Sequence, residues 1–236
     1  MNLDLHPDLR IRKLAIGVER APLLVIDNFV ANADDLIEHA ASLRFTPLGR
    51  FYPGIRAVAP PNYRQFVVTR LRDVLLDCLG VRSGSLDFSM CHYSIVTTPP
   101  EQLLVPQRIP HIDSLATNAL ASIHYLFKQD LGGTAFYRHR RTGFEVVDAS
   151  RNEAYFSSLR DESVRLESAD HGHLPGYING DTELFEQIAR QDGVFNRMLV
   201  YRRNSLHSGC IDAGFVPDPN PRTGRLSINS FIDLVP

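Results

Sequence analysis

The pattern of apolar residues changes character at Gly84, and that change limits the folds open to the chain. Ahead of it, two stretches repeat at helical spacing. In NADDLIEHAASLRF, Leu36, Ile37, Ala40 and Leu43 share a face, Asn32 stands at the N-cap position, and acidic residues fill the first turn. In NYRQFVVTRLRDVLLDCLG (62–80), Phe66, Val67, Leu71, Val74, Leu75 and Cys78 form the apolar face and Gly80 ends the helix. APLLVIDNFV (21–30) reads as a strand, and RFYPGIRAVAPP (50–61), punctuated by Pro and Gly, reads as a loop.

Past Gly84 the segments become short, β-branched and aromatic. LDFSMCHYSIVT (86–97), NALASIHYLF (118–127), GTAFYRHR (133–140), NRMLVYRRN (196–204) and RLSINSFIDLV (225–235) are the expected strands. Between them, residues 141–195 read as a helical insertion, with SRNEAYFSSLRDESVRL and DTELFEQIARQDG as its helices and Asp181 capping the second. No strand–helix alternation of the dinucleotide-binding kind and no glycine-rich phosphate loop occurs. The expectation is an α+β fold, with helices covering one face of a sandwich or barrel.

A chain of 236 residues fits one large domain. Within it, 1–84 would supply the first strand and supporting helices, and 85–236 the β core. The net charge of −2 argues against nucleic acid as the main partner, because phosphate binding needs a basic surface. Cys78, Cys91 and Cys210 make no disulfide framework and no CxxC pair, which suits a reducing compartment. The N-terminal stretch lacks a long apolar core, and no run of about 18 apolar residues occurs. A soluble cytoplasmic protein is expected, with no membrane association.

His111 and Asp113 in RIPHIDSLATNALASIHYLF lie two residues apart, so an extended backbone projects both to the same side while Ile112 points away. With 9 His and 18 Asp in the chain, His-x-Asp is expected about once by chance, and a second copy stands at His6/Asp8. Context separates the two. Mononuclear non-haem Fe(II) needs two imidazoles and a carboxylate on one face of an octahedron. His207 follows a β-like run and adjoins the small residues Ser208 and Gly209, which let a metal approach. On the last strand, Arg225, Ser227, Asn229 and Phe231 fall on one face and Leu226, Ile228 and Ile232 on the other. An Arg and a Ser on one face of an otherwise apolar strand suit a carboxylate clamp, because the guanidinium fork can hold a carboxylate bidentately.

These motifs run in a known order: HID, HYLF, GGTAF, NSLHSG and RLS. Over roughly residues 86–235 the chain resembles the 2-oxoglutarate/Fe(II)-dependent dioxygenase superfamily, in the branch similar to prolyl 4-hydroxylases. VIDNFVANADDLIEHA is similar to that branch's first strand and helix. YPGIRA, FNRMLVYRRNSLHSG and GRLSINSFI look closer still to an uncharacterised bacterial family within the superfamily.

The resemblance implies a double-stranded β-helix (jelly-roll) core, with His111, Asp113 and His207 as iron ligands. Arg225 and Ser227 would hold the distal carboxylate of 2-oxoglutarate, and Tyr93 would touch that co-substrate. It implies O₂-dependent oxidation, most simply hydroxylation, of an amino-acid, peptide or other small-molecule substrate. Arg222, in a long loop after His207, is the rival of Arg225. A non-catalytic jelly-roll binding protein and a cupin-type metalloprotein without co-substrate are the competing readings.

Several residues are expected to serve structure instead. His124 reads as a hydrogen-bonded core histidine, His171 and His173 as part of a polar loop, and Cys91 and Cys210 as small buried hydrophobes. Gly132 and Gly133 read as a hairpin turn that the resemblance also places beside the substrate entrance. The run Arg138–Arg141 reads as a solvated hairpin cap, or alternatively a contact for an acidic substrate.

Overall fold

The computed structural model describes residues 1–49, 51–168 and 176–235. Its strands are β1 (Arg10–Ile16), β2 (Ala21–Asp27), β3 (Thr46–Pro47), β4 (Gly54–Val58), β5 (Ser85–Val96), β6 (Ala119–Tyr125), β7 (Gly133–His139), β8 (Phe185–Asp192), β9 (Met198–Arg202), β10 (His207–Cys210) and β11 (Leu226–Val235). Three α-helices accompany them: α1 (Ala33–Ala41), α2 (Pro61–Leu79) and α3 (Asn152–Ser168). The fold is mostly β. No helix among the described residues is long and apolar enough to cross a membrane.

Eight strands form one antiparallel sheet in the order β1-β2-β9-β6-β11-β5-β4-β3, and three form a second in the order β10-β7-β8. From β6 onward the chain crosses to the small sheet for β7 and β8, returns for β9, crosses again for β10 and comes back as β11. This is a jelly-roll-like arrangement.

The period-two pattern of β11 sets its two faces. Leu226, Ile228 and Ile232 join the core beneath α1 and α2, together with Leu36, Phe66, Leu71 and Leu75. Asn229 and Phe231 face the space between the sheets. Pro61 opens α2 and Gly80 closes it at φ 77°, a conformation that glycine adopts without a Cβ penalty. Asn32 occupies the N-cap position of α1, but its side chain makes no capping bond and donates instead to Asp35.

Two segments depart from the sequence expectation. Residues 54–58 form β4, an added strand on β5, where a loop was expected. DTELFEQIARQDG forms β8, not a helix: seven residues pair with β7, and Phe185 is buried under the small sheet. Asp181, expected as a helix cap, instead accepts the Gln187 backbone N–H and the Arg140 guanidinium. Pairing with β7 outweighs a periodicity that Phe185, Ile188 and Ala189 leave open to either structure. The expected helix over SRNEAYFSSLRDESVRL is present as α3. His171 and His173 lie outside the described residues.

His124 sits fully buried between the large sheet and α2. Asn196 donates from Nδ2 to the Val30 carbonyl, and its Oδ1 accepts the Val30 N–H, so that oxygen can only accept from His124 Nε2–H. Nδ1 of the ring is then left to accept the Tyr63 hydroxyl at 3.1 Å. Burial pushes this imidazole down to about 4, with Asn196 pulling the other way. The folded protein therefore keeps His124 neutral while the unfolded chain protonates it below about pH 6.5. Its contribution is fully present above that value and is lost as pH falls toward 4, by about 2 kcal/mol at pH 5. Urea unfolding of wild type and His124→Gln at about pH 7.5 and pH 5 should show the stability gap narrowing by that amount. A gap that does not change with pH would contradict a neutral buried imidazole.

Candidate metal centre

His111, Asp113 and His207 meet at the open end of the space between the sheets. Their ligand atoms all lie within 4.8 Å of one another. Asp113 Oδ1 is 3.8 Å from His111 Nε2, and Oδ2 is 3.5 Å from His207 Nε2. The two imidazole centroids are 4.4 Å apart.

Backbone pairing brings these residues together. His111 N–H donates to the His207 carbonyl at 2.9 Å and His207 N–H returns the bond at 3.0 Å, a one-residue antiparallel bridge beside β10. Asp113 N–H donates to the Arg203 carbonyl at 2.8 Å. His207 Nδ1 lies 2.9 Å from the Ser205 carbonyl, which cannot donate, so Nδ1 carries the proton and Nε2 presents its lone pair to Asp113 and His111. Tyr201 packs against the ring at 4.7 Å. His111 keeps 51% of its side chain accessible where it lines the cavity. Protein surrounds the rest of the ring, and its imidazole is pushed down to about 4 by burial first and by His207 second, with Asp113 opposing. Two imidazoles and one carboxylate converge, a donor set that fits a divalent transition metal.

The cavity in front of these residues measures about 590 Å³. Its wall is largely aromatic and aliphatic, and α3 contributes Tyr155, Phe156 and Leu159 to it. Arg225 enters from the start of β11. It is 4% exposed, and among the described residues no carboxylate pairs with it. Its Nε donates to the Leu131 carbonyl at 2.8 Å and one Nη to the Gly133 carbonyl at 2.9 Å. Phe127 flanks the guanidinium at 5.4 Å. A buried cation without a counter-ion is costly, so this arrangement favours an anion in the cavity. Ser227, two residues on, is also buried and donates its hydroxyl to Asn229 Oδ1 at 2.8 Å.

Arg222 has a different role. It is exposed and forks onto Glu38 of α1 at 2.9 and 2.6 Å, away from the cavity. Tyr93 also departs from expectation. It pairs with Ile228, so it shares the helix-covered face of the sheet, where its hydroxyl meets His39 Nδ1 at 3.3 Å. Tyr52, Tyr155, Tyr177 and Tyr201 line the cavity instead, and Tyr177 donates to the Thr98 carbonyl at 2.7 Å. Burial pushes the Tyr52 phenol up, while Arg56 and Arg225 pull it down.

The glycine pair is not a hairpin turn, because β6 and β7 belong to different sheets. A Cβ on Gly132 would stand 2.1 Å from the Cys210 carbonyl oxygen, and one on Gly133 would stand 2.0 Å from that of Gln191. Glycine lets β7 slide between β10 and β8, and it leaves the Gly133 carbonyl free to orient Arg225.

Of the basic run, Arg140 and Arg141 are solvated, whereas Arg138 is held by Glu145 and Glu186. His139 is fully buried against Glu162 at 2.8 Å, which ties α3 to β7. His6 and Asp8 make a local exposed turn. Cys78, Cys91 and Cys210 are all buried free thiols, each pushed above its usual value mainly by burial.

Residues 7–232 match the family described as "Family of unknown function (DUF6445)". The chain belongs to that family. No curated protein sequence matches it. Among solved structures, it is similar to HygX from Streptomyces hygroscopicus with nickel and 2-oxoglutarate bound. The TM-score is 0.54 at 12% identity, covering 92% of this chain and 84% of HygX. HygX with nickel, 2-oxoglutarate and hygromycin B bound gives the same TM-score and identity over 94% and 88% of the two chains. A weaker likeness, TM-score 0.47 at 9% identity over 91% and 80%, is to the non-heme alpha ketoglutarate dependent carbocyclase SnoK from nogalamycin biosynthesis. At these identities the shared property is the fold.

Proposed function

We propose that this DUF6445 member is an Fe(II)- and 2-oxoglutarate-dependent oxygenase, most simply a hydroxylase, acting on a small molecule or an amino-acid or peptide substrate. The observation that carries the reading is the pairing of His111, Asp113 and His207 with a buried Arg225 that has no carboxylate partner among the described residues, all in one cavity. His111, Asp113 and His207 hold the metal. Arg225 holds the distal carboxylate of the co-substrate, with Ser227 beside it and Tyr52, not Tyr93, as the neighbouring phenol. The crossing of the chain between sheets supports a double-stranded β-helix core of the prolyl 4-hydroxylase-like kind. That HygX binds 2-oxoglutarate on a similar fold adds to the reading. Three buried free thiols suit a cytoplasmic setting.

When bound, iron and 2-oxoglutarate supply the oxidising chemistry, with O₂ consumed and succinate and CO₂ released. The chain's own contribution is to bind, orient and shield. The Ser205 carbonyl keeps the His207 lone pair aimed at the site, and Arg225 fixes the co-substrate's reach from the far end. The aromatic wall limits water around the reacting centre. A cupin-type metalloprotein without co-substrate has no use for a buried cation opposite its metal, so Arg225 speaks against that alternative.

Anaerobic addition of Fe(II) and 2-oxoglutarate should produce a weak visible charge-transfer band. In air, uncoupled succinate should form slowly. Both should vanish in His111→Ala. If wild type shows neither band nor succinate, the oxygenase reading fails.

A further inference from the structure

A second arginine faces the same cavity. Arg56 projects from β4 on the row that runs through Ser94 of β5 and Ser227 of β11. Among the described residues its guanidinium makes no hydrogen bond and no ion pair, and its Nε is buried without a partner. Its guanidinium lies 4.0 Å over the Tyr52 ring, so it is held in place by a stack that leaves its N–H groups uncommitted. A Cβ on Gly49 would stand 3.3 Å from Arg56 Nη1, so the 46–49 segment closes over the group. Among the described lining residues Asp113 is the one acid.

Charge balance separates the two arginines. On the reading above, a divalent ion, the Asp113 carboxylate, Arg225 and a 2-oxoglutarate dianion cancel. Among the described lining residues, Arg56 is then left as one uncompensated positive charge in a largely apolar chamber. A single residual charge is neutralised by a monoanion, and a planar guanidinium with free N–H groups matches a carboxylate. We propose that Arg56 recognises a carboxylate on the primary substrate, so that the enzyme acts on a carboxylic acid whose remaining body lies against the aromatic wall.

This inference rests on the iron and 2-oxoglutarate reading, and the test keeps the two apart. The full-length protein, loaded anaerobically with Fe(II) and saturating 2-oxoglutarate, is titrated with matched probes: phenylacetate against phenylacetamide, and hexanoate against hexanamide. Binding is read from displacement of the charge-transfer band and from thermal stabilisation. The acids should bind at least about tenfold tighter than the amides, the difference expected of one charge-assisted contact. In Arg56→Gln that preference should disappear while 2-oxoglutarate affinity stays within about threefold, and Arg56→Lys should keep part of it. Unchanged melting of the probe-free variants shows that the fold is intact. If wild type shows no acid preference up to about 20 mM, whether both probes bind or neither does, the inference is overturned. It is also overturned if Arg56→Gln weakens 2-oxoglutarate as Arg225→Gln does, because Arg56 then belongs to the co-substrate clamp. Failure of wild type to bind 2-oxoglutarate at all would instead bring down the oxygenase reading beneath it.

Discussion

Replacing Arg225 with Gln should weaken 2-oxoglutarate binding by on the order of a hundredfold or more while leaving Fe(II) affinity nearly unchanged. The guanidinium already spends one N–H on Leu131 and one on Gly133, so its orientation is set before any ligand arrives. The two backbone carbonyls offset only part of the cost of burying that cation, and the remaining N–H groups are available to a carboxylate in a chamber of low dielectric. Each charge-assisted hydrogen bond there contributes about 1.5–3 kcal/mol, and two lost together give the predicted factor. Arg225→Lys should fall between, since it keeps the charge and loses the fork. Anaerobic calorimetry with Fe(II) alone, then with 2-oxoglutarate on the iron-loaded protein, separates the two affinities. If both drop together in Arg225→Gln, the residue is a structural prop for the Gly132–Gly133 crossing and not a ligand clamp.

Local pattern revealed most where a segment has one polar and one apolar face. The alternation of β11 announced that Arg225 and Asn229 would face away from Leu226 and Ile228, and both sides lie as expected. The face of α2 was equally legible, because its apolar positions repeat over several turns. Where burial differs from this pattern, the sequence misleads. β8 has apolar residues at 185, 188 and 189, which suit a helix as well as a strand, and only its pairing with β7 decides. β4 is five residues between Pro and Gly signals, too short to stand out, yet it carries Arg56. Tyr93 was assigned to the co-substrate through resemblance. Its parity on β5 relative to Ile228 puts it beneath the helices, and a register argument between β5 and β11 could have revealed this only once their pairing was known. His139 looked like one member of a solvated basic run because nothing nearby marks Glu162, 23 residues later, as its buried partner. For the candidate site, the order of His111, Asp113, His207 and Arg225 was readable. Arg225 was preferred to Arg222 because it opens an alternating strand whereas Arg222 sits in a Pro/Gly loop; the aromatic wall from α3 depended on tertiary placement.

The metal residues themselves carry the second large effect. Two imidazoles and a carboxylate lie within 4.8 Å of one another, held by backbone bonds that do not depend on an ion. The site is therefore preorganised, and metal binding adds to stability by mass action rather than by folding the chain. At about a hundredfold excess over its dissociation constant, a divalent ion should stabilise the protein by about 2.7 kcal/mol. For a domain of this size that corresponds to a rise in Tm of roughly 5–10 °C. His207→Ala should abolish the rise, because it removes the ligand whose lone pair the Ser205 carbonyl aims, and the remaining His111 and Asp113 sit two residues apart on a single segment. Ser205 acts through its backbone, so Ser205→Ala should retain the full shift. Scanning calorimetry with and without Fe(II) or Ni(II), under anaerobic conditions for iron, distinguishes these outcomes. A metal-induced rise that survives in His207→Ala would mean that the ion binds elsewhere, and the three converging side chains would lose their claim to be the metal centre.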